Sequence, residues 1–388
     1  MGRTKKSRIS KSHRKTNRKT HRKIIINKLS TNHTIIHILS IVKKYYESIN
    51  DKIHINAYER AIYQIKKWSR DITKGNELKD LPGIGKGMIE KIDTIIKTGT
   101  LPIIKEKKLE SKYSKYSKGN DSNGSNGSNS SNVIDTVLGF GKKIVTELKE
   151  KWNARTIDNV RTLLKDNKIK LTDAQIIGLK YHDDLVLPIP RKETEEIGSL
   201  ISGMIESDGK KSDSKKTNNL YCFLAGSYPS GVKSESKDID ILCVSNDSRS
   251  LKTIIHNIST NFEIETIALG DTKFLGLIKS PVSGKWRHLD MRLVNLESFP
   301  YAWFYYTGGK VFNKLIREIL KKKGYKLNEW GLYKNEKRVD LDGENGIGGE
   351  NGIHDFIDKK HLMLHTEKIE KKIFEIAGLE YKTLKERY

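Results

Sequence analysis

Hydrophobic residues recur every three or four positions through the first third of the chain, which is the spacing of amphipathic helices. The pattern begins at Ile24, is dense across residues 35–42 and 57–65, and returns across residues 87–96. It predicts a compact, all-helical domain over residues 24–105. After a polar interruption, residues 133–182 show helical spacing again and predict a second helical segment.

The pattern changes to short apolar runs after residue 195, which is typical of strands. Five strands are predicted, at residues 221–225, 239–244, 262–264, 274–278 and 288–294. Two polar stretches, residues 206–219 and 341–353, are predicted to be expanded loops. The predicted layout is a small helical domain, a linker, a helical segment and an α+β body.

Composition marks the segments that have little to bury. The 388 residues are enough for two to four domains. Residues 111–132 are rich in Ser, Asn and Gly, which predicts a flexible linker. Residues 1–23 are basic and polar, so we expect a disordered nuclear address, DNA-tracking arm or solubilising tail. An intracellular protein is expected, because the sequence has neither an 18-residue apolar run nor an apolar stretch behind its basic N-terminus.

The charge balance points to a polyanionic partner. The chain has 73 Lys and Arg against 48 Asp and Glu, a formal net charge of +25. Nucleic acid is favoured over an anionic membrane, because no basic amphipathic helix with an aromatic face is evident. Cys222 and Cys243 lie in apolar runs and are expected to be small buried hydrophobes in a reducing compartment, neither disulfide-bonded nor zinc-bound.

Two glycine strings of the same form each precede an amphipathic helix, Leu-Pro-Gly-Ile-Gly-Lys at residues 81–86 and Val-Leu-Gly-Phe-Gly-Lys at residues 137–142. A Gly-x-Gly turn lets backbone amides face outward at a helix N-terminus, where they bind phosphate. One copy could be a plain helix–glycine–helix corner. Two copies in a basic chain favour helix-hairpin-helix motifs that bind the DNA backbone without reading bases. The predicted contacts are Gly83, Gly85, Lys86, Gly139, Gly141 and Lys142.

The predicted strands carry a set of carboxylates. Asp238 and Asp240 are two apart and therefore share one face of a strand, and Asp290 lies on another strand two residues before Arg292. Neighbouring carboxylates need a cation, and their hard oxygens suit Mg²⁺. Three of them can hold two metals for in-line phosphoryl transfer. With Gly-Ser at residues 226–227, the pattern is that of a nucleotidyltransferase.

From residue 24 to residue 388 the sequence resembles the X family of DNA polymerases, most closely its beta type. The matching strings include Leu-Pro-Gly-Ile-Gly at 81–85, Gly-Ser-Tyr at 226–228, Asp-Ile-Asp at 238–240, Asp-Met-Arg at 290–292 and Tyr-Tyr-Thr-Gly at 305–308. The resemblance implies an α+β protein with a mixed or antiparallel palm sheet. Its implied parts after the tail 1–23 are a lyase-like domain 24–110, the linker 111–132, a helical DNA-binding subdomain 133–194, a palm 195–300 and a C-terminal subdomain 301–388 that binds the nascent base pair.

The activity implied by the resemblance is template-directed filling of short gaps in base-excision repair, with a 5′-deoxyribose-phosphate lyase activity. The implied substrates are gapped or primed double-stranded DNA and dNTPs. A monomer is expected, in the nucleus or at sites of DNA replication and repair, with a DNA ligase as a partner. Two alternatives remain open: a template-independent or end-joining nucleotidyltransferase of the same family, and a non-catalytic helix-hairpin-helix protein.

The family's site residues transfer onto matching positions of this sequence. Asp238 and Asp240 would hold two Mg²⁺ or Mn²⁺ ions, and Asp290 would hold the catalytic metal and receive the proton of the primer 3′-hydroxyl. The nucleotide contacts implied are Gly226, Ser227, Tyr305, Tyr306, Gly308 and Asn313. Arg292 and Arg317 would contact DNA. The backbone carbonyls implied for a bridging K⁺ or Na⁺ are those of Lys79, Leu81, Ile84, Asp135, Val137 and Phe140.

Several positions depart from the family pattern. Pro188 and Ser230 stand where the family places triphosphate-binding arginines, and His288 replaces another arginine. Either Lys233 or Lys237 then supplies the missing charge, or nucleotide affinity is lower. Lys91 occupies the position of the lyase nucleophile, which attacks C1′ as a neutral amine. His54 and Gly87 replace family lysines, so the lyase activity is less firmly implied than polymerisation.

Overall fold

The computed structural model describes residues 30–109, 133–209, 220–245, 250–343 and 358–388. The predicted tail and linker, residues 1–23 and 111–132, lie outside them. The first described segment is all-helical, as predicted. Its helices are α1 (Thr31–Ser48), α2 (Lys52–Lys66), α3 (Lys86–Thr98) and α4 (Pro102–Glu106), with a 3₁₀ turn at Gly75–Leu78.

Side-chain caps fix where the first two helices begin. The hydroxyl of Ser30 accepts from the backbone N–H of His33, and the carboxylate of Asp51 accepts from those of Ile53 and His54. The apolar faces of α1 to α3 then meet in one core that includes Ile35, Leu39, Tyr58, Ile65 and Ile92.

The second segment, residues 133–187, is also helical and packs around its own core. It contains a 3₁₀ turn at Ile134–Thr136 and helices α5 (Lys142–Lys151), α6 (Ile157–Lys165), α7 (Asp173–Lys180) and α8 (His182–Leu185). Capping boxes begin α6 at Thr156 and α7 at Thr172. Helix α7 docks on the palm, where the rings of Tyr181 and Trp286 lie 4.4 Å apart.

A five-stranded mixed sheet forms the palm. Its strands are β2 (Leu220–Leu224), β4 (Asp238–Ser245), β5 (Ile264–Leu269), β6 (Lys273–Lys279) and β7 (Trp286–Asn295). Their order is β2-β4-β7-β6-β5, and only the central pair β4 and β7 is parallel within the described sheet. A short pair, β1 (Ile189–Pro190) and β3 (Glu235–Ser236), lies beside it. The predicted α+β class is confirmed.

Helices cover both faces of the palm sheet. Helices α9 (Arg191–Gly209) and α10 (Leu251–Ser259) bury one face, on which Ile239, Ile241 and Cys243 point inward. The opposite face, with Leu242 and Val244, packs against α11 (Phe299–Thr307) and α13 (Lys359–Ala377). Each strand of this core therefore has two distinct faces.

The last part of the chain is an α+β subdomain. It combines α11 and α13 with α12 (Lys310–Lys322) and a three-stranded sheet, β8 (Tyr325–Asn328), β9 (Gly331–Lys334) and β10 (Lys337–Arg338). At its centre the fully buried Arg387 forms an ion pair with Glu370. The guanidinium lies over the rings of Phe304 and Phe374, 5.0 and 5.2 Å from their centroids. The buried charge is therefore paired with a carboxylate and also contacts two aromatic rings.

The helical N-terminal domain contacts this last subdomain directly. The Lys314 ammonium on α12 donates to Asn56 at 2.8 Å and to Glu59 at 3.4 Å, both on α2. Arg60 of α2 also pairs with Glu318 of α12. No helix within the described ranges is long and apolar enough to cross a membrane.

Three predictions about local structure were wrong. Cys222 and Cys243 form a disulfide, because they lie directly opposite each other on antiparallel β2 and β4 with Cα atoms 4.1 Å apart. The predicted loop 206–219 begins inside α9, which continues to Gly209. The strand predicted at residues 262–264 begins instead at Ile264, where pairing with β6 starts.

Candidate active site and DNA-binding hairpins

Sheet register brings the three predicted carboxylates together. Asp240 on β4 lies directly opposite Asp290 on the parallel strand β7, and Asp238 lies opposite His288. Because side chains alternate along a strand, all four point to the same face, as does Arg292. The parallel pair at the centre of the sheet thus carries two acidic side chains next to each other at its edge.

The carboxylates perturb one another. Burial, and then the charges of Asp238 and Asp290, raises the pKa of Asp240 to about 7. Burial also raises the pKa of Asp290, which Asp238 reinforces and His288 and Arg292 oppose. Each shift disfavours the charged form, as expected for acids that share a half-buried site without a neutralising cation.

The donor set suits a divalent cation. Oδ1 of Asp290 is buried without a hydrogen-bond partner among the described residues, and three carboxylates supply the hard oxygen ligands that Mg²⁺ prefers. Within the described ranges, no three acidic, His or Cys side chains are yet gathered as closely as around a bound ion. A cation at Asp238, Asp240 and Asp290 would therefore draw these side chains together and relieve their repulsion.

A glycine turn lies against the carboxylates. Gly226 follows β2 with a φ of +59°, and a Cβ there would overlap Oδ2 of Asp240. Glycine is therefore required both by the left-handed backbone and by the close approach of the carboxylate. Ser227 is next in this turn, and its carbonyl accepts from the hydroxyl of Ser230 at 2.7 Å.

A small cleft opens between this turn and the carboxylates. Its lining includes Arg191, Ser227, Lys233, Asp238 and Asp240. Lys237, which is also described, is exposed and lies outside that lining, and Pro188 is exposed as well. Of the two lysines predicted to supply charge, the structure brings only Lys233 to the cleft.

Arg191 is a cleft residue to which the sequence analysis gave no role. Its guanidinium donates to the Tyr228 carbonyl at 2.7 Å and lies over the Tyr228 ring, 3.9 Å from the centroid. It lies directly after strand β1, whose pairing with β3 places it beside the turn.

The predicted sugar and base contacts cluster where α11 turns into α12. The Asn313 amide donates to the carbonyls of Tyr305 at 2.9 Å and Gly308 at 3.1 Å, and a Cβ on Gly308 would lie 2.9 Å from that amide. Arg317 lies over the Tyr305 ring at 4.8 Å, while Arg292 lies over the Tyr306 ring at 5.5 Å. In this structure the Asn313 side chain is held by the turn.

The two glycine strings have the same backbone conformation. Gly83 and Gly139 both have a φ of +83°, and Gly85 and Gly141 are the N-caps of α3 and α5 without side-chain caps. The turns are closed alike, since Ile84 N–H donates to Leu81 O at 3.1 Å and Phe140 N–H donates to Val137 O at 3.0 Å. Both hairpins thus leave helix N-terminal amides without a side-chain acceptor.

The charged residues of the two hairpins lie at the surface, whereas Ile84, Val137 and Phe140 are buried. Lys79, Lys86 and Lys142 are exposed. Asp135 is exposed too, and its carboxylate accepts from Lys149 at 2.7 Å.

Comparison with known proteins agrees with this geometry. Three family models match the chain: a helix-hairpin-helix domain over residues 30–101, the DNA polymerase beta palm over 188–296 and the DNA polymerase beta thumb over 302–388. The chain belongs to the X family of DNA polymerases.

Curated relatives of this X-family chain include two enzymes named DNA polymerase lambda. The Arabidopsis thaliana protein is 28% identical over 318 residues, which cover 78% of this chain and 54% of that protein. The Rattus norvegicus protein is 26% identical over 305 residues, covering 76% and 48%. DNA nucleotidylexotransferase of Xenopus laevis is 23% identical over 356 residues, covering 81% and 65%. The chain spans about half the length of the two polymerase lambda relatives.

The predicted lyase residues of this X-family chain lie on the helical domain. Lys91 is half-buried on α3, and its Nζ donates to the Gly87 carbonyl at 3.1 Å. The His54 ring stacks on Tyr46 with centroids 4.3 Å apart, and its Nδ1 lies 2.6 Å from the Asp51 carboxylate. His54 is therefore engaged by neighbours at the start of its own helix.

Tyr388 is a second residue near the site that sequence reasoning missed. Its hydroxyl donates to the Gly226 carbonyl at 3.0 Å, across 162 positions of sequence. Burial, and then Asp240 and Asp238, raises its pKa to about 12. No sequence signal could have found this contact, because the sequence does not show how the last subdomain folds back on the palm.

Proposed function

We propose that this chain is a template-directed DNA polymerase that fills short gaps in double-stranded DNA. The observation that carries the proposal is the pairing of Asp240 with Asp290 on adjacent parallel strands, beside Asp238 and beneath the Gly226 turn. This is the arrangement needed to transfer a nucleotidyl group to a primer 3′-hydroxyl.

In this proposal Asp238, Asp240 and Asp290 would hold two Mg²⁺ ions, which would activate the 3′-hydroxyl and neutralise the triphosphate. Asp290 would accept the proton of that hydroxyl, and its Oδ1 has no hydrogen bond within the described residues that would compete. Mn²⁺ could replace Mg²⁺ because both accept hard oxygen ligands.

The incoming dNTP would lie in the cleft. The backbone amides at Gly226 and Ser227 would bind the triphosphate, and Lys233 would supply the positive charge that Pro188 and Ser230 lack. Tyr305, Tyr306 and Gly308 would line the sugar. Asn313 would contact the base once its amide leaves the turn, and Arg317 the templating base.

The hairpins would hold the DNA backbone on both sides of the gap. Glycine-rich turns at the start of α3 and α5 expose amides to phosphate, and Lys86 and Lys142 add charge there. A K⁺ or Na⁺ ion at the hairpins would be held by the backbone carbonyls of Lys79, Leu81, Ile84, Asp135, Val137 and Phe140. Arg292 would act near the primer end.

We also propose that the helical domain is a 5′-deoxyribose-phosphate lyase with Lys91 as the nucleophile. Its support is the position of Lys91 on α3, directly after the first hairpin, where a 5′-phosphate would bind. With this activity the chain would act in base-excision repair, as a monomer that passes a nick to a DNA ligase in the nucleus or wherever DNA is repaired.

Template-independent nucleotide addition is a second candidate function. It is favoured by the similarity to a relative named DNA nucleotidylexotransferase. The test compares primer extension on one-nucleotide-gapped DNA and on single-stranded DNA, with Mg²⁺ and each dNTP separately. Insertion of only the complementary nucleotide on gapped DNA supports gap filling. Untemplated addition to single strands supports the second candidate, and no incorporation on either DNA contradicts both.

A further inference from the structure

The segment Thr383–Tyr388 touches the proposed nucleotide site from outside the palm. The Tyr388 hydroxyl donates to the carbonyl of Gly226 at 3.0 Å, and its ring lies 6.0 Å below the Lys233 ammonium. Gly226 is the glycine of the turn that lies so close to the Asp240 carboxylate that a Cβ would overlap it. One phenol therefore contacts the turn and approaches the lysine proposed to bind the triphosphate.

Contacts of Arg387 attach this segment to the last subdomain. Arg387 is fully buried, with two hydrogen bonds of 2.8 and 2.6 Å to the Glu370 carboxylate and one of 2.8 Å to the Lys382 carbonyl. Its own carbonyl lies against Gly309, where a Cβ would overlap it. Because Gly309 begins α12, the backbone beside Tyr388 is fixed to the subdomain that carries Asn313 and Arg317.

The turn itself has few other restraints from distant residues. Most of its described hydrogen bonds are local, from Tyr228 N–H to Ala225 O, from Gly231 N–H to Tyr228 O and from the Ser230 hydroxyl to Ser227 O. Apart from Tyr388, the distant partners are Asp240, whose carbonyl accepts from Ala225 N–H, and Arg191, which donates to Tyr228 O. A hydrogen bond to the carbonyl of Gly226 orients the peptide that carries the Ser227 amide. Loss of that bond would remove a restraint on the orientation of this peptide.

We propose that Tyr388 is a positioning residue, which through the Gly226 carbonyl aims the Ser227 amide at the triphosphate of the incoming nucleotide. The inference rests on the proposed polymerase function. It predicts that the Tyr388 hydroxyl affects nucleotide affinity far more than turnover, because the phenol does not touch the reacting atoms.

Tyr388→Phe removes the hydroxyl and keeps the ring, and Tyr325→Phe is the matched control. Tyr325 also packs in the last subdomain, but its hydroxyl accepts from Lys334 at 3.4 Å on the three-stranded sheet, away from the turn and from Arg387. The full-length proteins are compared by single-nucleotide insertion on gapped DNA and by hydrogen–deuterium exchange of residues 225–232. Tyr388→Phe should raise the KM for dNTP about three- to tenfold, with kcat within twofold, and speed exchange of the turn.

The control should leave the KM, kcat and exchange of the turn unchanged. Equal effects of both variants, unchanged exchange in Tyr388→Phe, or faster exchange with an unchanged KM would each overturn the proposal. If the wild-type chain inserts no nucleotide, the polymerase function fails by itself. Exchange of the turn then still decides whether Tyr388 positions it.

Discussion

The pKa of the Asp240 carboxyl is raised well above its ordinary value. Its pKa of about 7 reflects burial first and then the charges of Asp238 and Asp290. In an unfolded chain this carboxyl would titrate near 3.8, the ordinary pKa of an aspartate. The charged carboxylate therefore destabilises the metal-free fold fully above pH 7, and this penalty falls as the pH falls from 7 towards 4.

Asp240→Asn should consequently stabilise the metal-free protein at pH 8 by roughly 1–4 kcal/mol, and by less at pH 5. Added Mg²⁺ should raise the Tm of the wild type and have little effect on the variant, because a bound cation relieves the same repulsion. Thermal unfolding in EDTA and in Mg²⁺ at both pH values measures this. Equal stabilisation at pH 8 and pH 5 would show that Asp240 is not perturbed.

Lys233 and Lys237 form a natural pair of test residues four positions apart. Lys233 lines the cleft and Lys237 does not. Since a charge-assisted hydrogen bond to phosphate is worth about 1.5–3 kcal/mol, Lys233→Ala should raise the KM for dNTP at least tenfold. Lys237→Ala should change it less than twofold. Steady-state insertion kinetics on gapped DNA decide between them, and the reverse order would assign the phosphate charge to Lys237.

The two hairpins each depend on a glycine with a left-handed backbone conformation. Gly139 has a φ of +83°, and its Cβ would meet Gln175 of α7 at 3.4 Å. Gly139→Ala should therefore distort the second hairpin at a cost of about 1–2 kcal/mol and weaken DNA binding alike on all sequences.

Gly203→Ala is the matched control for the hairpin. Gly203 lies on α9 with open space around its Cβ position, so alanine should stabilise that helix by about 1 kcal/mol without affecting DNA binding. Fluorescence anisotropy with two unrelated duplexes measures the binding. An unchanged affinity in Gly139→Ala would exclude the second hairpin from the DNA interface.

The helices before residue 185 and four strands of the five-stranded sheet could be predicted because their periodicity is local. Both helical segments and β2, β4, β6 and β7 were found within a few residues of their observed bounds. Helix α9 was missed because Gly198 and Gly203 interrupt a polar sequence. The helix is stabilised instead by Ile197, Ile201 and Ile205, which lie four residues apart and pack into the core beneath the palm sheet. The disulfide was missed because its formation depends on the register of β2 against β4.

At the scale of the whole molecule, two proposed activities lie on different parts of the chain. Lys91 lies on the N-terminal helical domain, whereas the carboxylates lie on the palm. Lys91→Ala should abolish most borohydride trapping on DNA with a 5′-deoxyribose phosphate, yet leave gap filling by the full chain within a few-fold.

Lys97→Ala is the control for trapping, because Lys97 lies in the last turn of the same helix. It should trap as well as the wild type. Full trapping by Lys91→Ala would assign the nucleophile to another lysine. Failure of the wild type to trap at all would indicate that His54 and Gly87 have cost the chain its lyase function.

The sequence motifs could show that the three acids lie on strands, but not which of them would lie next to each other. The pairing of Asp240 with Asp290 needs the parallel register of β4 and β7, which residues about fifty positions apart do not reveal by themselves. The contact of Tyr388 with Gly226 and that of Lys314 with α2 depend likewise on how whole subdomains meet. These contacts therefore follow from long-range packing and could not be predicted from the local sequence pattern.

The proposed polymerase activity needs the Asp290 carboxylate in the transfer step itself, which single-turnover insertion of one nucleotide into gapped DNA measures. Asp290→Ala should slow insertion by roughly 10²- to 10⁴-fold while DNA affinity stays near that of the wild type. Asp271→Ala, an exposed palm acid paired with Lys252, should insert normally. Near-normal insertion by Asp290→Ala would show that Asp290 takes no part in the transfer step.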